Sequence, residues 1–550
     1  MRDKFCPTRR SFLMSAAALA APTLAFADSA PQRAPRTASE TFNADVDLEL
    51  ICRRDQVSIL QGKPTQVWRY SGNLLKGPAN TLTTLPDSYL GPLLRFVKGQ
   101  KIRIRLHNDL PEQTITHWHG LHVPMDADGH PMAAIDNGQT YVYEFEMRNR
   151  AGFNFYHPHT HEATATQVYH GLAGGIIVED EEERALGLPS GEYEIPLVIQ
   201  DRSFDDANQL AYWGGMHRDM FGFYGERILV NGRPDFTLEV ASRAYRFRVL
   251  NASNARICKL MWDDGTPLTV IGVDGGLLEK PEKRPYAMLS PAERLDLWVD
   301  FSGRPVGSKL VMRSGEFDGV VPRMAQRMMG SALFVGDNYP LFTVTVTRAV
   351  GETPKLPEKL ATIRHYGMDE VANRDSPRPI ALTMGHMQLG INGRGYEHDN
   401  VMDIERVPID TVQLFEIFHD HGGGMGMGGG MGGGMGMGRM GMGGGMMGGG
   451  MGGNMGGMGM MGMMDMAHPI HLHGEPFEIL SRSYNGADAD AYATIRDGLI
   501  DSGLKDTVLV SPGETIRIAK PFHDFKGRFM YHCHNLEHED MGMMREFSVE

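Results

Sequence analysis

The chain has 550 residues, with 54 Lys and Arg against 68 Asp and Glu, a formal net charge of −14. That length is a prior for roughly three or four domains, so a core of ordinary size is no obstacle. The acidic balance argues against nucleic acid and anionic membrane surfaces as partners and is compatible with cations.

The N-terminus reads as an export signal. "TRRSFLM" carries the twin arginines Arg9 and Arg10, an apolar run comes next, and Ala25-Phe26-Ala27 offers a small-x-small cleavage site. The run is shorter than the ~20 residues a spanning helix needs, and Pro22 interrupts it. Residues 1–27 are therefore expected to leave by the twin-arginine route, with the mature chain starting near Asp28 in the periplasm and not stably inserted in a membrane. That route suits a protein that folds around a metal before crossing. Losing four basic residues and one acidic leaves 50 and 67, a net charge of −17. Cys6 leaves with the signal. Cys52, Cys258 and Cys533 remain, an odd number. Cys52 and Cys258 are compatible with a disulfide or with two buried thiols.

Short period-2 runs dominate the rest of the chain. "KIRIRLHN" places Ile102, Ile104 and Leu106 on one face, and "YVYEFEM", "YRFRVLN", "RLDLWVDF", "LFTVTVT" and "ETIRIAKPF" repeat the pattern. These predict half-buried strands with little helix, and an all-β sandwich or barrel class. Boundaries are expected near "EDEEERALGLPSGE" and "RAVGETPKLPEK", giving domains at 40–187, 188–350 and 360–550. The outer two echo each other: "GFNFYHPH" matches "GRFMYHCH", and "HWHG" matches "HLHG". The middle third shares the strand style but lacks the histidine pairs. Before the last histidine motif, Gly422 to Met466 is almost only glycine and methionine, with 17 of the 38 methionines. Glycine at that density forms neither helix nor strand, so a long disordered loop inserted in the third domain is expected.

Four histidine pairs stand out: His117/His119, His157/His159, His471/His473 and His532/His534. At i, i+2 on a strand both rings face the same side, and 22 histidines by composition alone predict roughly one such pair. Eight imidazoles converging between the first and last domains would make a multinuclear metal site. Cys533 points the opposite way from His532 and His534. With His468, His538 and Met543 it offers the thiolate, two imidazoles and weak axial thioether of a blue-copper electron-transfer site. Met541 and Met544 lie close to Met543 as other axial choices. In the N-terminal copy the four equivalent positions hold Thr114, Pro158, Ala163 and Val168, so the mononuclear set is absent there as a unit. One cysteine among this many histidines fits no common structural zinc pattern.

"HWHG", "YHPH", "HPIHLHG" and "HCHNLEHEDMGM" together resemble the four copper-binding motifs of the multicopper oxidases, and the layout and signal resemble the bacterial laccase and cuprous oxidase branch. The resemblance covers nearly the whole mature chain. It implies three consecutive cupredoxin-like Greek-key β-sandwich domains and four copper ions. His468, Cys533, His538 and Met543 would hold a type 1 copper, and His117 and His471 a type 2 copper. His119, His157, His159, His473, His532 and His534 would hold a type 3 pair. His161 and His122 flank the motifs but match no ligand position. The implied reaction is four one-electron oxidations coupled to reduction of O2 to water, with electrons entering at Cys533 and leaving through His532 and His534. Asp128, in "MDADGHP", resembles the family's proton-relay acid, although the family usually has "GGPQ" where this chain reads "GHPM"; Glu539 is a second relay candidate.

Thioether sulfur selects Cu(I), so the methionine-rich stretch would collect Cu(I), with Asp465 and Met466 as candidates for a substrate-copper site. Cuprous oxidases place their methionine-rich insert earlier and more helically, a departure here. The reading is an exported oxidase of Cu(I) and/or phenolic donors serving copper tolerance. The alternatives are an organic-donor laccase whose loop acts as a lid, and a periplasmic copper buffer. A two-domain nitrite reductase does not fit three domains carrying both histidine sets.

Overall fold

The computed structural model describes residues 36–322, 326–327, 333–385, 388–420 and 465–550. Residues 1–27, expected to be an export signal, and all but the last two residues of the Gly/Met stretch lie outside the described residues. Six sheets form three sandwiches. In the first, Thr65–Lys76, Val46–Val57, Lys101–Asn108 and Thr140–Glu146 face a sheet of Leu82–Thr83, Leu93–Val97, Gly174–Glu179, Gly152–Pro158 and Thr116–His119. The middle sandwich packs seven strands between Glu194 and Asp300 on five between Thr237 and Arg348. The last packs six strands between Arg378 and Phe522 on five between Arg406 and Val549. Neighbouring strands are often distant in sequence, with parallel pairings such as Leu93–Val97 with Gly174–Glu179 and Arg378–Gly385 with Thr411–Asp420. This is the Greek-key crossover style of cupredoxin-like sandwiches.

The internal echo is exact in register. His117 lies opposite His157 across one antiparallel pair, and His471 lies opposite His532 across the other. Cross-strand neighbours sit within ~5.5 Å, so each register draws two histidine pairs together before the domains meet. Ile102, Ile104 and Leu106 are all fully buried, as the alternation predicts.

Other strands differ from expectation. Ala244–Asn251 is buried on both faces, including Arg246 and Arg248. Glu183 of the short helix Glu181–Ala185 covers the supposed outer face. Arg246 reaches Glu183 at 2.8 Å, and Arg248 reaches Glu194 at 2.7 Å and Asp296 at 3.1 Å. Arg294–Asp300 is buried likewise except at its last residue. The alternating charges mark interfaces between sandwiches, where each is paired. Cys52 and Cys258 are free thiols buried in the separate cores of the first and middle sandwiches, which decides between the two alternatives. Among the described residues no helix is long and apolar enough to cross a membrane.

Candidate metal centre

The strand Gly527–Cys533 carries the junction between two sites. Cys533 faces the core of the last sandwich with Met543, while His532 and His534 face the first sandwich. Cys533 Sγ stands 3.5 Å from His468 Nδ1 and 3.7 Å from His538 Nδ1, and the two ring nitrogens are 3.2 Å apart. His538 is delivered by the short helix Leu536–Asp540, whose buried Glu537 accepts from Tyr212 Oη at 2.6 Å, Asn254 Nδ2 at 2.8 Å and the Phe223 N–H at 3.0 Å. Met543 is buried and tied into the same turn, its N–H donating to His538 O and its carbonyl accepting from the Cys533 N–H. Met544 instead sits opposite His532 in the sheet, and Met541 is only partly buried. Burial pushes the Cys533 thiol up and the His538 ring down to about 4. A thiol so placed keeps its proton in the absence of a cation and would lose it to solvent when a bound cation takes its place on sulfur.

The eight paired histidines converge where the first and last sandwiches meet, and all are buried. His159, His473 and His532 point their Nε2 atoms together, with His473 and His159 at 3.2 and 3.3 Å from His532. His534 packs its ring 5.0 Å from that of His119 and 5.2 Å from that of His157. His117 and His471 lie between, their ring centres 5.7 Å apart. Burial holds the rings of His117, His119, His159, His473 and His534 well below the usual imidazole range, so they are neutral.

In His117, His157 and His471 the outward nitrogen is tied down and the inward one is bare. Nδ1 of His117 donates to Asp128 O at 2.7 Å, Nδ1 of His157 to Pro158 O at 2.7 Å, and Nδ1 of His471 to Asp506 O at 2.9 Å. Their Nε2 atoms have no hydrogen-bond partner among the described residues. His119 is reversed: its Nε2 meets Asp506 Oδ1 at 3.1 Å, and Nδ1 is the bare atom. Bare, buried imidazole lone pairs facing one another are costly without a shared cation, and outer hydrogen bonds of this kind set the tautomer of metal-ligating histidines. These residues therefore fit bound metal, and neutral imidazole beside a Cys-His-His-Met set suits copper. Asp506 also approaches His119 and His471, but it is already engaged by Arg294 at 2.5 and 2.8 Å. Burial would raise its carboxyl, yet the guanidinium holds it well below the usual range.

Of the acids expected to relay protons, Asp128 is buried, with Oδ2 accepting from His473 Nδ1 at 2.7 Å, and burial raises its carboxyl. Glu539 lies 3.1 Å from His532 Nδ1 and 3.9 Å from His159 Nδ1. Burial opposes its ionisation, but the His532 ring lowers it. Asp465 is half-buried. Met466 is buried in an apolar cluster with Met220, rimmed by Met384 and Met541. His161 is exposed against Tyr396, and His122 turns to Asp524 at 3.2 Å, so neither joins the cluster. Arg294, Asp506, Glu537 and Asn254 are the residues of this site that sequence reasoning missed.

Three cupredoxin-like sandwiches holding a Cys-His-His site beside a buried histidine cluster define a copper protein. Two family profiles described as multicopper oxidase match residues 53–183 and 457–550. The crystal structure of the McoA multicopper oxidase from the hyperthermophile Aquifex aeolicus has a TM-score of 0.71 at 30% identity, covering 92% of this chain and 97% of that one. The chain belongs to the multicopper oxidase family, whose members are copper-dependent oxidoreductases. A laccase of Bacillus subtilis (strain 168) is 29% identical over 526 residues, 88% of this chain and 90% of that protein. A Campylobacter jejuni multicopper oxidase described as a metallo-oxidase has a TM-score of 0.68 at 25% identity and covers 94% of each chain.

Proposed function

We propose that this is an exported oxidase that takes single electrons from Cu(I) and/or phenolic donors at the Cys533 site and passes them to O2 at the histidine cluster, serving copper tolerance in the periplasm. In this reading the domains divide near 187–188 and 350–360. His468, Cys533, His538 and Met543 hold a type 1 copper, and His117 and His471 a type 2 copper. His119, His157 and His534 hold one type 3 copper, and His159, His473 and His532 the other. When bound, copper supplies the one-electron acceptor at the first site and the four-electron reduction of O2 to water at the second.

The observation that carries the reading is the position of Cys533. It is one peptide unit from His532 and one from His534, with a bare His534 ring and His532 Nε2 on the far side. A covalent path of two residues joins the sites, which a buffering protein does not need. Asp128 and Glu539 lie on two sides of the cluster: Asp128 accepts from His473 Nδ1, and Glu539 Oε2 stands 3.1 Å from His532 Nδ1. They are placed to hold protons that O2 reduction consumes, within the reach expected of general acids.

For the donor, Cu(I) is favoured by the thioethers of Met220, Met384, Met466 and Met541 in one cluster beside His538, whose Nε2 donates to Met220 O at 3.1 Å. Asp465 adds a carboxylate at the entrance to the same strand as His468. The metallo-oxidase from Campylobacter jejuni supports this choice, and the Bacillus subtilis laccase supports an organic donor. O2 uptake with Cu(I) and then with a simple phenol, repeated on a chain lacking residues 422–464, separates them. A better Cu(I) rate that falls selectively on deletion supports the cuprous oxidase. An unchanged Cu(I) rate with faster phenol turnover leaves a laccase.

A further inference from the structure

The middle sandwich contributes no histidine to the cluster, yet it reaches both halves of it. Two aspartates hold the ligand rings in a crossed pattern. Asp128 of the first sandwich accepts from His117 through its backbone carbonyl, at 2.7 Å, and from His473 of the last sandwich through Oδ2, at 2.7 Å. Asp506 of the last sandwich accepts from His471 through its backbone carbonyl, at 2.9 Å, and from His119 of the first sandwich through Oδ1, at 3.1 Å. Each aspartate thus fixes one ring of its own domain and one ring of the other.

The two differ in what stands behind them. Asp128 Oδ1 accepts no hydrogen bond among the described residues. Asp506 is gripped from the middle sandwich by a two-pronged contact: Arg294 Nη1 donates to Oδ1 at 2.8 Å and Nη2 to Oδ2 at 2.5 Å. The remaining donors of Arg294 bind Phe153 O at 2.9 Å and Ala292 O at 2.9 Å, with Nη2 also facing Asn154 Oδ1 at 3.2 Å and Asp274 O at 3.0 Å. All five guanidinium N–H groups are therefore used, and their acceptors come from all three sandwiches. Asp274, also of the middle sandwich, anchors the Arg294 N–H at 2.8 Å and takes the Lys505 ammonium at 3.1 Å.

We propose that Arg294 is a positioning residue for the copper cluster: by clamping Asp506 it fixes the orientation and tautomer of His119 and His471, leaving Nδ1 of one and Nε2 of the other free for metal. A carboxylate held by two N–H donors presents only lone pairs, so the His119 nitrogen facing it must carry the proton and the opposite nitrogen cannot. Lysine cannot replace this arrangement, since a point charge with three donors lacks the planar fork. The proposal rests on the copper roles proposed for His119 and His471.

The test compares Arg294→Lys and Asp506→Asn with Arg248→Lys, an equally buried arginine of the middle sandwich that pairs with Glu194 and Asp296 and touches no ring of the cluster. Copper-loaded full-length proteins are titrated with a chelator while the blue absorption of the Cys533 site and the electron paramagnetic resonance of the cluster copper are followed separately. Arg294→Lys and Asp506→Asn are expected to release cluster copper at about 10- to 100-fold lower chelator concentration, the usual cost of losing an outer partner of a ligand. The blue absorption should persist, and Arg248→Lys should behave as the unmodified protein in both signals. Asp506→Asn carries the test alone if Arg294→Lys does not fold. Cluster copper held equally tightly, with unchanged hyperfine splitting, in either variant overturns the clamp. An unmodified protein that binds copper only at the Cys533 site overturns the cluster assignment, and the clamp with it.

Discussion

Gly120 closes "HWHG" and Gly474 closes "HLHG". Both have a left-handed backbone, with φ of 88° and 86°. Alanine at either position therefore meets the same backbone penalty, about 1–2 kcal/mol. The surroundings differ. A Cβ on Gly120 would stand 2.3 Å from Asn154 Oδ1, 2.7 Å from Arg294 Nη2 and 3.0 Å from Asp506 Oδ2, whereas a Cβ on Gly474 meets nothing within 4 Å. Crowding of a packed interior adds about 1–3 kcal/mol, and here it falls on a network already saturated with hydrogen bonds. Gly120→Ala should thus destabilise the copper-free protein by about 2–5 kcal/mol and Gly474→Ala by only about 1–2 kcal/mol. Calorimetric unfolding of both copper-free variants measures the difference, and copper retention under chelator measures its consequence. Gly120→Ala should also lose cluster copper first, because the displaced groups orient His119. Equal destabilisation by the two alanines, or equal copper retention, would refute the argument from crowding.

Cys533→Ser should abolish the blue absorption and turnover with both Cu(I) and phenol while the histidine cluster still binds copper, checked by spectroscopy and metal analysis. Asp128→Asn keeps the size of the side chain but not its proton, so O2 uptake should fall about 10²-fold with the blue absorption unchanged; a drop below threefold would remove Asp128 from the relay. Glu537→Ala strands the buried donors of Asn254 and Phe223 and the half-buried hydroxyl of Tyr212, and should destabilise the helix that carries His538 by about 3 kcal/mol, seen as a shifted blue band and earlier unfolding. Burial raises the Glu194 carboxyl, but Arg248, Arg246 and Arg95 outweigh it and bring it from 4.5 down to about 2. Its folded value is depressed, so the stability it contributes is complete above pH 4.5 and is lost as pH falls toward 2. Glu194→Gln should flatten acid unfolding in that window, followed by circular dichroism.

Much of the site was legible because strand periodicity is local. An i, i+2 histidine pair declares its shared face within three residues, and the match between the "YHPH" and "YHCH" segments placed the equivalent pairs in the same register. The mononuclear set was legible because the N-terminal copy lacks all four of its members together. The supporting residues were not legible. His119 and Asp506 are 387 residues apart, and Arg294 meets Asp506 across 212, so no spacing announces them. Arg294 and Asp296, like Arg246 and Arg248, mimic the polar face of an exposed strand. Only the docking of neighbouring sandwiches turns that face inward, where each charge finds a partner. Asn254 and Glu537 are similar: a loop asparagine of the middle sandwich and a helical glutamate of the last meet at 2.8 Å to steady His538.

Two copper sites joined through Cys533 should reduce O2 fully to water. The most direct measurement is the ratio of donor oxidised to O2 consumed by the copper-loaded protein, with hydrogen peroxide assayed in the same reaction. Four electrons per O2 and no peroxide, with Cu(I) and with any phenol that turns over, is the predicted result. Two electrons per O2 with accumulating peroxide would contradict it, because a Cys533 site acting without the histidine cluster would release O2 half-reduced.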